Sequence, residues 1–155
     1  MGWLLVPADL ARLVAAEHAV SYAQPDVIDQ AAFATLVESG ELDRHLRKTR
    51  AIYRDRRATL LAALTRTMPT LRVGGGAAGL HLMVWLPRQL SEDAVVEAAG
   101  QREVAVDGLH SACAVAREFG PALVLGYGGI AESAIPVAIS QLAECIGAGQ
   151  TRRSA

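Results

Sequence analysis

The side chains that could do chemistry are few and widely spaced. A single lysine, Lys48, stands beside fourteen arginines. A Schiff-base lysine must be desolvated or otherwise depressed in pKa. Lys48 falls mid-helix among Arg44, Arg47 and Arg50, the pattern of a solvated helix face. His18, His45, His81 and His110 lie far apart with no HxxxH spacing, so nothing marks the three or four converging ligands a metal needs, and no metal site is expected. Cys113 follows His110 by three residues, but Cys–His dyads are assembled from distant segments, and a structural cysteine is the plainer reading. Ser21, Ser39, Ser91, Ser111, Ser133 and Ser140 offer no GxSxG elbow. No catalytic residue is assigned on this basis. The candidate for a small-ligand cleft is Gly79 with His81: His81 alternates with Leu80 and Leu82 and so faces opposite to them. A surface or structural histidine is the simpler alternative there.

Two denser clusters invite binding functions. Between Glu41 and Arg66 there are eight basic residues and three acids, which phosphates would exploit with a strongly salt-dependent affinity. The stretch has no helix-turn-helix spacing, zinc pattern or aromatic stacking platform, so direct nucleic-acid binding is not expected. Gly74-Gly75-Gly76 suggests a phosphate cradle only if a helix follows. A strand follows instead, and a hairpin-type turn is expected.

The elements that must position these residues follow from periodicity and breakers. The 155 residues suit one domain with a core large enough for independent stability. No apolar run approaches the ~20 residues needed to span a bilayer. With two cysteines lacking CxxC spacing and a formal net charge of −1, a soluble cytoplasmic protein is expected, with no membrane partner. Gly2–Val6 reads as a buried strand closed by Pro7. Asp9 is placed to cap a helix reaching about Ser21, and Pro25 opens a second helix that Ser39-Gly40 stops.

Residues 41 to about 68 form the longest periodic segment, with Leu42, Leu46, Tyr53, Leu60 and Leu64 on one stripe and Pro69 as its end. Strands are expected at 71–73, 80–86, 103–106 and 122–126. A Ser91-capped helix reaches about Ala99, an irregular stretch covers 108–121, and a last helix runs from about Glu132 to Ile146. The part from residue 41 on therefore reads as an α+β sandwich, with a long helix leading into a small, mostly antiparallel sheet covered by helices.

Three stretches carry a family resemblance: Met1-Gly-Trp-Leu-Leu-Val-Pro7, the run from Glu38-Ser-Gly40 to Tyr53-Arg-Asp-Arg-Arg57, and Ala77-Ala-Gly-Leu-His-Leu82 followed by Leu123-Val-Leu-Gly-Tyr127. Over about residues 1–146 the chain resembles the C-terminal part of the aminotransferase-like domain of MocR-type regulators, of the GntR group. That domain has the class I/II aminotransferase (fold-type-I) architecture that uses pyridoxal phosphate (PLP).

The resemblance implies residues 1–40 as a remnant of the large PLP-binding subdomain and 41–146 as the small subdomain, while residues 147–155 read as a flexible tail. It implies a dimeric domain. The Schiff-base lysine would lie in an S-x-S-K-like segment before Met1, with a phosphate-holding arginine immediately before Gly2-Trp3. The arginine that grips a substrate carboxylate would fall at Leu123 or Val124, where this chain has none. On its own the chain is thus expected to hold no cofactor and to be inactive, and to dimerise or to pair with an N-terminal chain that supplies the lysine. The alternative is a stand-alone α+β module binding a small ligand near Gly79, His81 and the 108–121 loop.

Overall fold

The computed structural model describes residues 4–21, 27–77, 79–113 and 119–151. The chain divides into two compact units, Met1–Lys48 and Thr49–Ala155, and the division falls inside a long helix.

In the first unit, α1 (Ala8–Ser21) and α2 (Val27–Glu38) are regular helices with little buried surface. Helix α1 begins at Ala8, so Asp9 sits in its first turn rather than at its cap; there a carboxylate still favours the positive end of the helix dipole. The expected strand at 2–6 is not formed over its described part: Leu4 to Val6 have no strand partner, and Leu5 is 91% exposed. A lone strand with no neighbour has no acceptors for its amides. Residues 1–3 and Pro25 lie outside the described residues. Helix α2 ends as expected at Ser39-Gly40, where Gly40 takes φ +73°, a left-handed turn that costs glycine little.

Helix α3 (Glu41–Thr67) closes just before Pro69 and buries Leu60, Ala63 and Leu64. The second unit then forms a four-stranded antiparallel sheet in the order β1-β2-β4-β3. Its strands are β1 (Val73–Gly74), β2 (His81–Trp85), β3 (Asp107–Gly108) and β4 (Ala122–Gly126). One hydrophobic core lies between one face of this sheet and helices α3, α4 (Glu92–Gly100) and α6 (Ile135–Thr151), with Leu64, Leu82, Val84, Leu123, Ile135 and Leu142 almost fully buried. Each such side chain contributes about 1.5–3 kcal/mol by leaving water.

Ser91 caps α4 as the sequence predicts: its Oγ accepts from the Ala94 N–H at 3.4 Å. The strand expected at 103–106 is displaced to Asp107–Gly108. Glu103 has φ +62°, and the Val104 amide turns back to the Ala99 carbonyl at 3.0 Å. The chain therefore leaves α4 through a left-handed residue, and pairing with β4 begins only at Asp107↔Val124. After β3 the chain forms a short helical turn, α5 (Leu109–Ala112). Helix α6 runs five residues past the expected end, Ile146, to Thr151. A Cβ at Gly149 would come within 3.1 Å of Leu90 Cδ2, so glycine lets this end of the helix approach the segment that leads into α4.

Candidate functional site

Alternation along β2 sorts its side chains onto two faces. Leu82 and Val84 enter the core, and His81, Met83 and Trp85 face the other way. Residues directly opposite across a ladder share a face. The registers His81↔Gly126, Met83↔Val124 and Trp85↔Ala122 therefore add Val124 to that outer face, and Gly74↔Met83 and Asp107↔Val124 extend it to both edges.

This arrangement settles an ambiguity left by the sequence. Leu123 is fully buried in the core, whereas Val124 is half-buried on the face that carries His81. Of the two positions where the resemblance implies a carboxylate-gripping arginine, only Val124 faces His81, and an isopropyl group offers no donor.

Gly79 and His81 are brought together, as the sequence suggested, and Tyr127, quoted above only as part of the resemblance, holds that segment. The hydroxyl of buried Tyr127 donates to the Gly79 carbonyl, and its amide donates to the Leu80 carbonyl at 3.0 Å. His81 lies over Gly126, where a Cβ would come within 3.5 Å of the imidazole. At the far end of the face, the Trp85 indole covers Gly74, where a Cβ would stand 2.8 Å from the ring. The Arg72 guanidinium sits 3.9 Å from the centroid of that indole, a cation–π contact. Beside Trp85, a second small cluster joins Leu109, Ala122, Met83 and Cys113.

The most heavily engaged ionisable group is one the sequence did not single out. Glu92, in the first turn of α4, is 3% exposed. Its Oε1 accepts from the Ala122 amide at 2.6 Å, and its Oε2 from the His110 amide at 2.9 Å. His110 Nδ1 stands 2.8 Å from the same Oε2. A Cβ at Gly108 would collide with that oxygen at 2.8 Å, so glycine is what admits the carboxylate. His110 is thus spent on Glu92 and Cys113 sits in the apolar cluster, so the two are not arranged as base and nucleophile.

The remaining candidates disperse. Lys48 is solvent-exposed on α3. Several arginines of α3 find partners: Arg44 with Glu41 and Arg54 with Asp55 nearby in sequence, and Arg56 with the distant Gly128 carbonyl. The buried Nε of Arg57 meets no acceptor among the described residues. Gly74 ends β1, and Gly75 and Gly76 open the connection to β2 rather than to a helix, so the cluster forms no phosphate cradle of the strand–helix kind. Among the described residues, no three His, Cys, Asp or Glu side chains stand close enough to hold a metal, and no helix is long and apolar enough to cross a membrane. The resemblance implies PLP for the larger domain; here the single lysine is exposed, and the outer sheet face presents an imidazole, a thioether and an indole among the described residues.

Comparison with known proteins agrees with this geometry. No family model matches the chain. An uncharacterized HTH-type transcriptional regulator of Bacillus subtilis, YhdI, is 27% identical over 143 residues, 92% of this chain and 30% of that protein. The multiple substrate aminotransferase of Thermococcus profundus superposes with a TM-score of 0.79 at 25% identity, over 94% of this chain and 36% of the enzyme. The α-aminoadipate aminotransferase LysN of Thermus thermophilus, solved with N-(5'-phosphopyridoxyl)-L-leucine, gives 0.76 at 23%, over 95% and 37%. The chain thus spans about a third of the length of the proteins it matches. Over that third it has the aminotransferase fold, and it resembles the C-terminal aminotransferase-like part of a MocR-type, helix-turn-helix regulator.

Proposed function

We propose that residues 41–146 act as the small subdomain of a PLP-dependent, aminotransferase-like domain in a cytoplasmic MocR-type regulator, and that this chain alone neither holds PLP nor catalyses. The observation that carries the reading is the outer sheet face: it belongs to a chain that superposes on an aminotransferase, but it carries neither a lysine nor, at Val124, a carboxylate-gripping arginine. The lysine would come from a segment or chain that completes the large subdomain. The exposed apolar side chains of the first unit, Leu5, Leu13, Val20 and Ile28 among them, suit burial against such a complement, or against a second copy in a dimer. With no guanidinium at Val124, the completed site would recognise a substrate carboxylate poorly. The alternative, a stand-alone ligand-binding module, keeps the Gly79–His81 region as its cleft.

Purifying the protein from its native cells and mapping its peptides by mass tests this reading. The expected result is a lysine-bearing N-terminal segment, either contiguous with Met1 or on a co-purifying chain, and PLP absorbance only when that segment is present. A native protein of these residues alone, with PLP bound in stoichiometric amount, would overturn it.

A further inference from the structure

The segment Glu103-Val-Ala-Val106 has the alternation of a strand, yet it stays off the ladder. Among the described residues, β3 pairs with β4 at only two positions, Asp107↔Val124 and Gly108↔Leu123. Continuing that register would set Val106 opposite Leu125 and Val104 opposite Tyr127. Instead the two segments line a cavity of about 390 Å³, whose wall is completed by Ile139 and Leu142 of α6. A pocket of this size lies within the range of about 300–1,000 Å³ typical of small-molecule sites. The space is partly open to solvent, and an apolar guest would displace water from its largely hydrocarbon walls.

Glu103 gives the cavity its chemistry. It is the only charged residue on the lining among the described residues, and it is exposed to solvent. Its φ of +62° is unusual for a residue with a side chain. Here it closes α4: the Glu103 amide donates to the Gly100 carbonyl and the Val104 amide to the Ala99 carbonyl, both at 3.0 Å, the left-handed cap common at helix C-termini. The same left-handed turn is what carries 104–106 away from β4 and keeps the space open.

We propose that this cavity binds a small molecule with an apolar body and a cationic end, in its simplest form a primary alkylamine or arylalkylamine. The hydrocarbon fills the space between 104–106 and β4, and the ammonium meets the Glu103 carboxylate. The site lies on the helix-covered side of the sheet, opposite the face carrying His81, so it stands whether or not the aminotransferase reading does.

The test is a titration of the full chain with n-hexylamine, with 1-hexanol and hexanoate as comparators, followed by amide resonances of Val104–Val106 and Leu125–Tyr127. Hexylamine is expected to saturate and to bind about two- to fivefold more tightly than hexanol, the margin of a solvent-exposed ion pair, and hexanoate more weakly than either. Glu103→Gln should remove the amine's advantage and leave hexanol binding unchanged. Ala138→Phe, which places a ring in the cavity, should abolish saturation by both; where that variant does not fold, Val106→Trp fills the space from the opposite wall. Without ligand, the Ala105 and Val106 amides should exchange freely with solvent. Absence of saturation, equal binding of hexanoate and hexylamine, saturation that survives cavity filling, or protection of Ala105 and Val106 as strong as that of Leu82–Val84 would each overturn the proposal.

Discussion

Residues 49–155 and residues 1–48 both contain regular, apolar-rich helices, yet only the first set builds a core. In the second unit Leu64, Leu82, Leu123 and Leu142 are at most 1% exposed, whereas in the first Leu5, Leu13 and Ile28 remain 91%, 69% and 76% exposed. The difference lies in what each helix has to face. The later part of α3, α4 and α6 lay apolar stripes on one face of a four-stranded sheet, a surface flat enough to take all three. Helix α2 distributes Val27, Ile28, Phe33, Leu36 and Val37 around its circumference. A helix apolar all round needs cover on several sides, and within its own unit α2 buries none of its residues.

That contrast can be broken or sharpened by substitution. Leu64→Ala should cost about 2–5 kcal/mol of stability in urea unfolding, the range for a leucine cavity in a core, while Leu13→Ala should stay within about 0.5 kcal/mol, as surface changes do. Similar costs at the two sites would end the comparison.

Glu92→Ala should follow, at about 2–3 kcal/mol, because two backbone amides, those of His110 and Ala122, would lose their buried acceptor. The same variant should speed alkylation of Cys113, since the segment from β3 to Cys113 would lose its anchor on α4. Glu92→Gln, which keeps one acceptor oxygen, should cost less.

Gly74→Ala should cost about 1–3 kcal/mol through overpacking and shift Trp85 fluorescence, because the indole occupies the space of the new methyl. Ser91→Ala should cost about 1 kcal/mol through loss of the α4 cap, with no effect on the outer face of the sheet.

Much of the second unit is legible in local sequence. The alternation of His81–Trp85, the apolar run Ala122–Gly126, the Ser91 cap and the Pro69 stop each act within a few residues, and each appears in the structure where it was expected. What was not legible depends on distant partners. The strand at 103–106 has the right alternation, but the left-handed turn at Glu103 decides whether it meets β4. Helix α6 continues through Gly147 and Gly149, against their low propensity, and Leu90 lies close to where a Cβ at Gly149 would go. Glu92 reads as an ordinary acidic residue in a first helical turn, and its importance comes from amides 18 and 30 residues away. The choice between Leu123 and Val124 for the outer face needed the β2–β4 register, because a slip of one residue exchanges the two faces.

For function, the decisive group is the single lysine. Incubating the intact chain with PLP, reducing with borohydride and mapping the peptides by mass addresses it most directly. The expected result is no aldimine absorbance and no stoichiometric pyridoxyl group on Lys48, which is exposed to solvent on α3. An aldimine band together with one pyridoxyl group per chain on Lys48 would contradict the reading of this chain as a subdomain that depends on a complement for its chemistry.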